Sequence, residues 1–220
     1  MEGRAPSRER AVVWDLPTRL FHWSLVLLIP FAWWTYKTDR MEWHRMAGYA
    51  VLALMAFRLF WGVFGSQTAR FASFVRGPVT VWRYLTGRLP KTVGHNPLGG
   101  WSVVLLLSVL AVQPLLGLFA SDEDGLDSGP FADRVGFEHA QQAEHWHELL
   151  FYGLLGLIAL HLCAIVFYRL RGTSLVLPML SGRASLPPGT RAPAHAPLWR
   201  WVVGLLLAGA VFGALYHWGA

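Results

Sequence analysis

The sequence predicts an all-α fold, an integral membrane helical bundle, and three observations carry that prediction. The chain of 220 residues is 54% hydrophobic and only 15% charged, too apolar for an ordinary soluble domain of this length. It contains five long apolar runs, each near or above the ~20 residues that a spanning helix needs. Its basic residues fall in alternate connections between those runs, the pattern of the positive-inside rule.

The runs follow in order. The first is Leu20–Tyr36, preceded by Trp14 and Leu16. It is the shortest and contains Pro30, so a kink or an earlier start is expected. The bulky WWTYKTDRMEW that follows it has no small-residue cleavage pattern, so this run reads as a retained helix rather than a signal peptide. The second run is His44–Phe64, the third Trp101–Ala120, the fourth Trp146–Tyr168 and the fifth Trp199–Trp218. Between the second and third, PVTVWRYLTGRLP interleaves Val79, Trp82, Tyr84 and Leu85 with Arg83 and Arg88 and predicts a short helix lying in the headgroup region. The segment 181–198 is rich in Pro, Gly and Ala and reads as a flexible tether between a domain over 1–180 and a last helix over 199–220. Most of the twelve tryptophans sit near the ends of the runs, as an aromatic belt in contact with membrane lipid requires.

The net charge of +6 does not mark a nucleic-acid surface, because the charges alternate by loop. Arg4, Arg8, Arg10 and Arg19 precede or open the first run; Arg70, Arg76, Arg83, Arg88 and Lys91 lie between the second and third; Arg169, Arg171, Arg183, Arg191 and Arg200 lie around the connection from the fourth to the fifth. The segment 121–145 is instead acidic, with Asp122, Glu123, Asp124, Asp127, Asp133, Glu138 and Glu144. The N-terminus is therefore expected inside, the acidic segment outside and, with five helices, Ala220 outside. The single Cys163 lies within the fourth run and cannot form an intrachain disulfide.

Nine histidines are sorted by this topology. His147 and His161 are fourteen residues apart in one apolar run, which on a helix places both on nearly one face and ~21 Å apart along the axis. A hydrocarbon core is ~30 Å thick, so one imidazole lies near each side of the membrane. His44 opens the second run at the outer side with His147, and His22 lies toward the inner side with His161. Ionisable side chains at such depth are costly and mark function. Two pairs of imidazoles from facing helices are what axial ligation of two haem irons needs. Gly48, one turn after His44, either leaves room for a porphyrin face or serves ordinary close helix packing. Arg19, Arg45 and Arg58 are candidate partners for haem propionates; interfacial snorkelling accounts equally well for Arg19 and Arg45, and Arg58 is the deepest of the three. His145, His139 and Glu144 could together bind a metal, though their spacing matches no standard zinc motif. His95 reads as an interfacial or turn residue, and His195 and His217 as incidental.

The stretches VWDLPTRLFHW (13–23), HRMAGYAVLALMAFRLFWGVFG (44–65), GHNPLGGWSVVLLL (94–107) and HELLFYGLLGLIALHL (147–162), in that order, resemble the bacterial cytochrome b561 and Ni/Fe-hydrogenase b-type cytochrome family. The resemblance implies a four-helix core holding two non-covalent haem b groups in the bacterial cytoplasmic (inner) membrane. It implies electron transfer between the quinone pool, ubiquinone or menaquinone, and a redox partner such as a periplasmic c-type cytochrome or a hydrogenase subunit. The positions matching the family's haem ligands are His22, His44, His147 and His161. The fifth run after the Pro-rich segment departs from that pattern. Other readings stand beside it: an anchor subunit of a hydrogenase or formate dehydrogenase, a superoxide:quinone oxidoreductase, or a haemless transporter or scaffold. Whether the protein is an enzyme in its own right is left open by the sequence.

Overall fold

A computed structural model describes residues 10–88, 94–186 and 189–219. Arg4, Arg8, Lys91 and Ala220, used above for topology, lie outside the described residues. Five long helices make the bundle: α1 (Leu16–Lys37), α2 (Met41–Phe64), α5 (Pro97–Gly117), α6 (Phe137–Leu170) and α8 (Leu198–Trp218). Shorter helices α3 (Phe71–Phe74), α4 (Pro78–Leu85) and α7 (Val176–Ser181) lie in the connections. Strands β1 (Arg10–Val12) and β2 (Arg183–Ser185) pair antiparallel, Arg10 opposite Ser185.

Four of these helices, α2, α5, α6 and α8, are long and apolar enough to cross a membrane. α1 has the length, 22 residues, but carries Arg19, Lys37 and Pro30 and falls short in apolarity. It starts at Leu16 rather than Leu20 because Asp15 caps it, accepting the Thr18 backbone N–H at 2.9 Å, and Pro17 occupies the first turn, where a missing N–H costs nothing. α5 begins in the same way: Asn96 accepts the Gly99 N–H at 2.6 Å and Pro97 follows. The start expected at Trp101 is thereby moved one turn earlier.

α6 departs most from the sequence expectation. Its 34 residues start at Phe137, so the last part of the acidic segment, including His139, Glu144 and His145, is helix and not loop. At ~1.5 Å per residue α6 is ~51 Å long, well beyond the hydrocarbon core. Ala140 and Ala143 bury the face of this extension.

α2 is the centre of the bundle. It packs against α1, α5 and α8, and its buried residues, among them Tyr49, Leu52, Met55, Arg58 and Trp61, point in all directions around the helix. Trp43 near its start and Leu59, Val63 and Phe64 near its end stay exposed. The main apolar core joins Phe21 and Leu25 of α1, Val51, Met55, Phe57 and Trp61 of α2, Leu107 and Leu110 of α5 and Leu154 of α6. α8 closes on α2 through Gly204, where an added Cβ would lie 2.9 Å from the Phe57 ring.

The Pro/Gly/Ala-rich segment is fastened at residues 182–185 and again at 194–196. The Gly182 carbonyl accepts the N–H groups of Val13 (2.8 Å) and Trp14 (3.0 Å), and β2 continues the attachment onto β1. Further on, Gln67 N–H donates to the Ala194 carbonyl (2.9 Å) and Ala196 N–H to Ser66 Oγ (3.1 Å). These backbone bonds, rather than composition, set how the segment runs. The amphipathic helix expected in PVTVWRYLTGRLP is α4, with Val79, Trp82 and Leu85 exposed. Tyr84 on α4 meets the Tyr168 hydroxyl of α6 at 2.9 Å, and Asn96 Nδ2 donates to that hydroxyl at 2.8 Å, so one hydroxyl ties α4, α5 and α6 together.

Candidate functional site

The outer pair is built by four helices. His44 and His147 approach with ring centroids 6.1 Å apart and planes at 81°. Each ring is held by a backbone carbonyl on another helix. His44 Nδ1 donates to the Ala32 carbonyl of α1 at 2.9 Å, and His147 Nδ1 to the Gln113 carbonyl of α5 at 2.7 Å. A carbonyl can only accept, so both imidazoles carry the proton on Nδ1, and Nε2 presents its lone pair. Gln113 Nε2 stands 3.3 Å from His147 Nε2 and 3.3 Å from the His147 carbonyl oxygen.

This pair fits a haem iron. A metal–nitrogen bond of about 2 Å on each side, plus about 1 Å from nitrogen to ring centre, spaces two axial imidazole centroids by about 6 Å. The observed 6.1 Å matches, and the Nδ1–carbonyl bonds are the outer-shell contacts that ligating histidines make. A Cβ placed on Gly48 would meet nothing within 4 Å, so this glycine is not fixed by close helix packing. Arg45, one residue after His44, donates through Nη1 to the Ser128 carbonyl at 3.2 Å, which ties α2 to the outer connection.

In the inner pair the buried His22 Nδ1 has no hydrogen-bond partner among the described residues. Because α6 is one unbroken helix, His147 and His161 are ~21 Å apart along it. Arg58 is 3% exposed; its guanidinium lies over the Phe71 ring at 4.8 Å, and its Nη1 is buried without a hydrogen-bond partner among the described residues. Asp15 is the carboxylate whose field reaches Arg58, but the Asp15 oxygens are taken by Thr18 N–H and by Trp61 Nε1 at 2.9 Å. Arg58 therefore retains a buried donor suited to a carboxylate. Arg19 is engaged elsewhere, donating to the Leu180 carbonyl beside α7.

His95 was expected at an interface or turn. It stands in the bend before α5, and there its ring is edge-on to Trp14 at 4.7 Å and tilted against Phe74 at 4.8 Å. Burial, then the charges of Arg58 and His161, push its imidazole down to about 4, so it is neutral at physiological pH. The GHNP motif could have flagged it, since Asn96 and Pro97 start α5 and fix His95 against the bundle. Two other residues escaped sequence reasoning, Gln113 and Gly117. A Cβ on Gly117 would lie 2.8 Å from His147 Cε1. Among the described residues no group of three or more His, Cys, Asp or Glu side chains is placed to hold a metal, so the His139, Glu144 and His145 reading gains no support. His195 lines a small cavity with Asp15, Trp61, Ser66 and Trp201, and His217 is exposed.

The probable Ni/Fe-hydrogenase B-type cytochrome subunit of Azotobacter chroococcum mcd 1 is 26% identical to this chain, over 73% of the chain and 82% of the relative. No solved structure matches. The family model for prokaryotic cytochrome b561 matches residues 13–182, which takes in α1 to α7, all four candidate ligands and His95, and leaves α8 outside. The chain belongs to the prokaryotic cytochrome b561 family: it is a multi-pass bacterial membrane cytochrome of the b type that works in electron transfer.

Proposed function

We propose that the chain holds two haem b groups, one near each membrane face, and passes electrons between the quinone pool and a redox partner across the cytoplasmic membrane. The observation that carries this reading is the outer pair: two imidazoles at 6.1 Å, each locked by a backbone carbonyl with Nε2 left as a lone-pair atom. His44 and His147 would hold the outer group, His22 and His161 the inner one. Haem iron supplies one-electron chemistry when bound. Gly48 gives clearance for the macrocycle, and Arg58 offers its unpartnered Nη1 to an inner propionate. Arg45 and Arg19 already donate to backbone carbonyls and would have to share those donors. The alternation of basic connections supports an N-terminus in the cytoplasm and a C-terminus in the periplasm.

A pyridine haemochrome assay with protein quantification tests the count, and two haems per chain are expected. H44A and H147A should each remove one and the same spectral component, and H22A and H161A the other. A wild-type ratio near one, or loss of the same component in H22A and H147A, overturns the reading. The likeness to a probable Ni/Fe-hydrogenase B-type cytochrome subunit favours a second reading for the partner, a hydrogenase subunit rather than a soluble c-type cytochrome. Co-purification of this protein from its own membranes with a hydrogenase subunit separates the two.

A further inference from the structure

α5 ends beside the outer pair in a way that helix packing alone does not require. Pro114 stands three residues before the end of the helix, and the last turn tightens: Leu118 N–H reaches both the Pro114 and Leu115 carbonyls at 3.2 Å. The Gln113 carbonyl just before Pro114 takes the His147 Nδ1 proton at 2.7 Å. Gly117, one turn on, faces the same ring; a Cβ there would lie 2.8 Å from Cε1 and 3.0 Å from Nδ1. Gly117 does not adopt a left-handed backbone, so conformational freedom is not what places a glycine here. The remaining reason for glycine is clearance for the imidazole.

We propose that Gly117 and the Gln113 carbonyl form a socket that positions His147, fixing its Nδ1–H tautomer and turning its ring nearly perpendicular to that of His44. The inference rests on the outer haem of the proposed function. The two contacts act together. The carbonyl sets where Nδ1 points, and the bare Gly117 lets the ring edge approach α5 closely enough to reach it. His44 is set independently by Ala32 of α1, so the 81° between the planes follows from the packing of two separate helix pairs.

The angle between axial planes has its own signature. Perpendicular planes leave the two iron dπ orbitals nearly equal in energy, and the low-spin ferric spectrum is then dominated by one low-field feature. Parallel planes split those orbitals and give a rhombic, three-feature spectrum. Electron paramagnetic resonance of the oxidised holoprotein therefore reads ring orientation directly, apart from electron-transfer activity.

The outer signal is identified as the one missing in H44A. In the wild type it should be of the dominant low-field kind. G117A should move it toward the rhombic form and shift the outer haem's midpoint potential, or abolish it by withdrawing the ligand, with the inner signal unchanged in both cases. G209A is the control: a Cβ there meets nothing within 4 Å, and its spectrum should match the wild type. A rhombic outer signal in the wild type overturns the proposal whatever G117A does. So does a G117A spectrum and potential identical to the wild type. If H44A loses no haem, it is the outer-pair ligation that fails, which is a different result from either.

Discussion

Asp15 closes the inner end of the bundle with two bonds, and its removal has a calculable cost. Its Oδ1 caps α1 through Thr18 N–H at 2.9 Å and its Oδ2 accepts Trp61 Nε1 at 2.9 Å. Asp15 is 7% exposed and Trp61 2%, so water does not replace either bond. Losing an N-cap costs about 1 kcal/mol. Leaving a buried indole N–H unpaired costs about 1–3 kcal/mol. D15A should therefore destabilise by about 2–4 kcal/mol, which for a chain of this size is about 4–16 °C in the thermal midpoint. Asn caps as well as Asp but cannot satisfy both donors in the same way, so D15N should cost the indole share only, about 1–3 kcal/mol. The assay is thermal unfolding of the purified protein in detergent, followed by far-ultraviolet circular dichroism, for D15A, D15N, W61F and D15N/W61F. In the W61F background the D15N cost should fall to a few tenths of a kcal/mol, since the donor is already gone. A D15N cost undiminished by W61F refutes the hydrogen-bond account and transfers the effect to the charge that Asp15 exerts on buried Arg58.

Other outcomes follow from the same contacts. G204A should destabilise by about 1–3 kcal/mol through overpacking against Phe57 and Phe60, while G209A on the same helix, where the Cβ meets nothing within 4 Å, should be at least as stable as the wild type in the same thermal assay. His95, held at about 4 when folded against an ordinary 6.5, is neutral in the native state. The unfolded chain takes up a proton first as pH falls, so stability is full above pH 6.5 and drops between 6.5 and 4 by up to about 1.4 kcal/mol per pH unit. A stability-versus-pH series for wild type and His95→Asn should show a shallower slope between pH 6.5 and 4 in the variant. Reporter fusions at Gly3, Asp124 and Ala220 should give cytoplasmic, periplasmic and periplasmic signals respectively. Neutralising Asp122, Glu123 and Asp124 together should slow reduction of a basic partner at low salt and lose its effect at high salt.

The sequence made the helices and the histidine depths legible for a plain reason. Fourteen residues within an unbroken apolar run can hardly be anything but four turns of one helix, so His147 and His161 had to share a face. Helix starts were less legible, though the signals were present. Asp15 before Leu-Pro-Thr and Asn96 before Pro-Leu-Gly are a capping residue followed by proline, and both moved a start N-terminal to the apolar run it serves. The beginning of α6 was hidden differently. Its first residues are polar on the faces that meet water, and only the small Ala140 and Ala143 turn inward, which leaves almost no hydrophobic contrast to read. His95 sits in the turn that Gly94 and Pro97 suggest, but its contacts with Trp14 and Phe74, twenty or more residues away, could not be read locally. The fastening of residues 182–196 could not be inferred from composition, since its partners are backbone groups of residues 13, 14 and 67 and the Ser66 hydroxyl.

The same blindness to backbone partners explains what is distinctive about the outer site. Neither His44 nor His147 is held by its own helix. His44 belongs to α2 and is anchored on Ala32 of α1; His147 belongs to α6 and is anchored on Gln113 of α5. Alanine and glutamine give no hint of this, because the acceptor in each case is a main-chain carbonyl that any residue would supply. The consequence is mechanical. Ring position is set by how α1 meets α2 and how α5 meets α6, and these are among the most extensive helix contacts of the bundle. α2 is further braced by α8 through Gly204 and by the Arg200 Nη1 bond to the Phe64 carbonyl at 3.0 Å. A helix outside the family match therefore steadies the helix that carries His44 without approaching the histidine itself. A disturbance at the α2–α8 seam should on this argument reach the outer pair only through movement of α2 as a body. It should change the His44 and inner-site environments together, whereas a disturbance at Gly117 should change His147 alone.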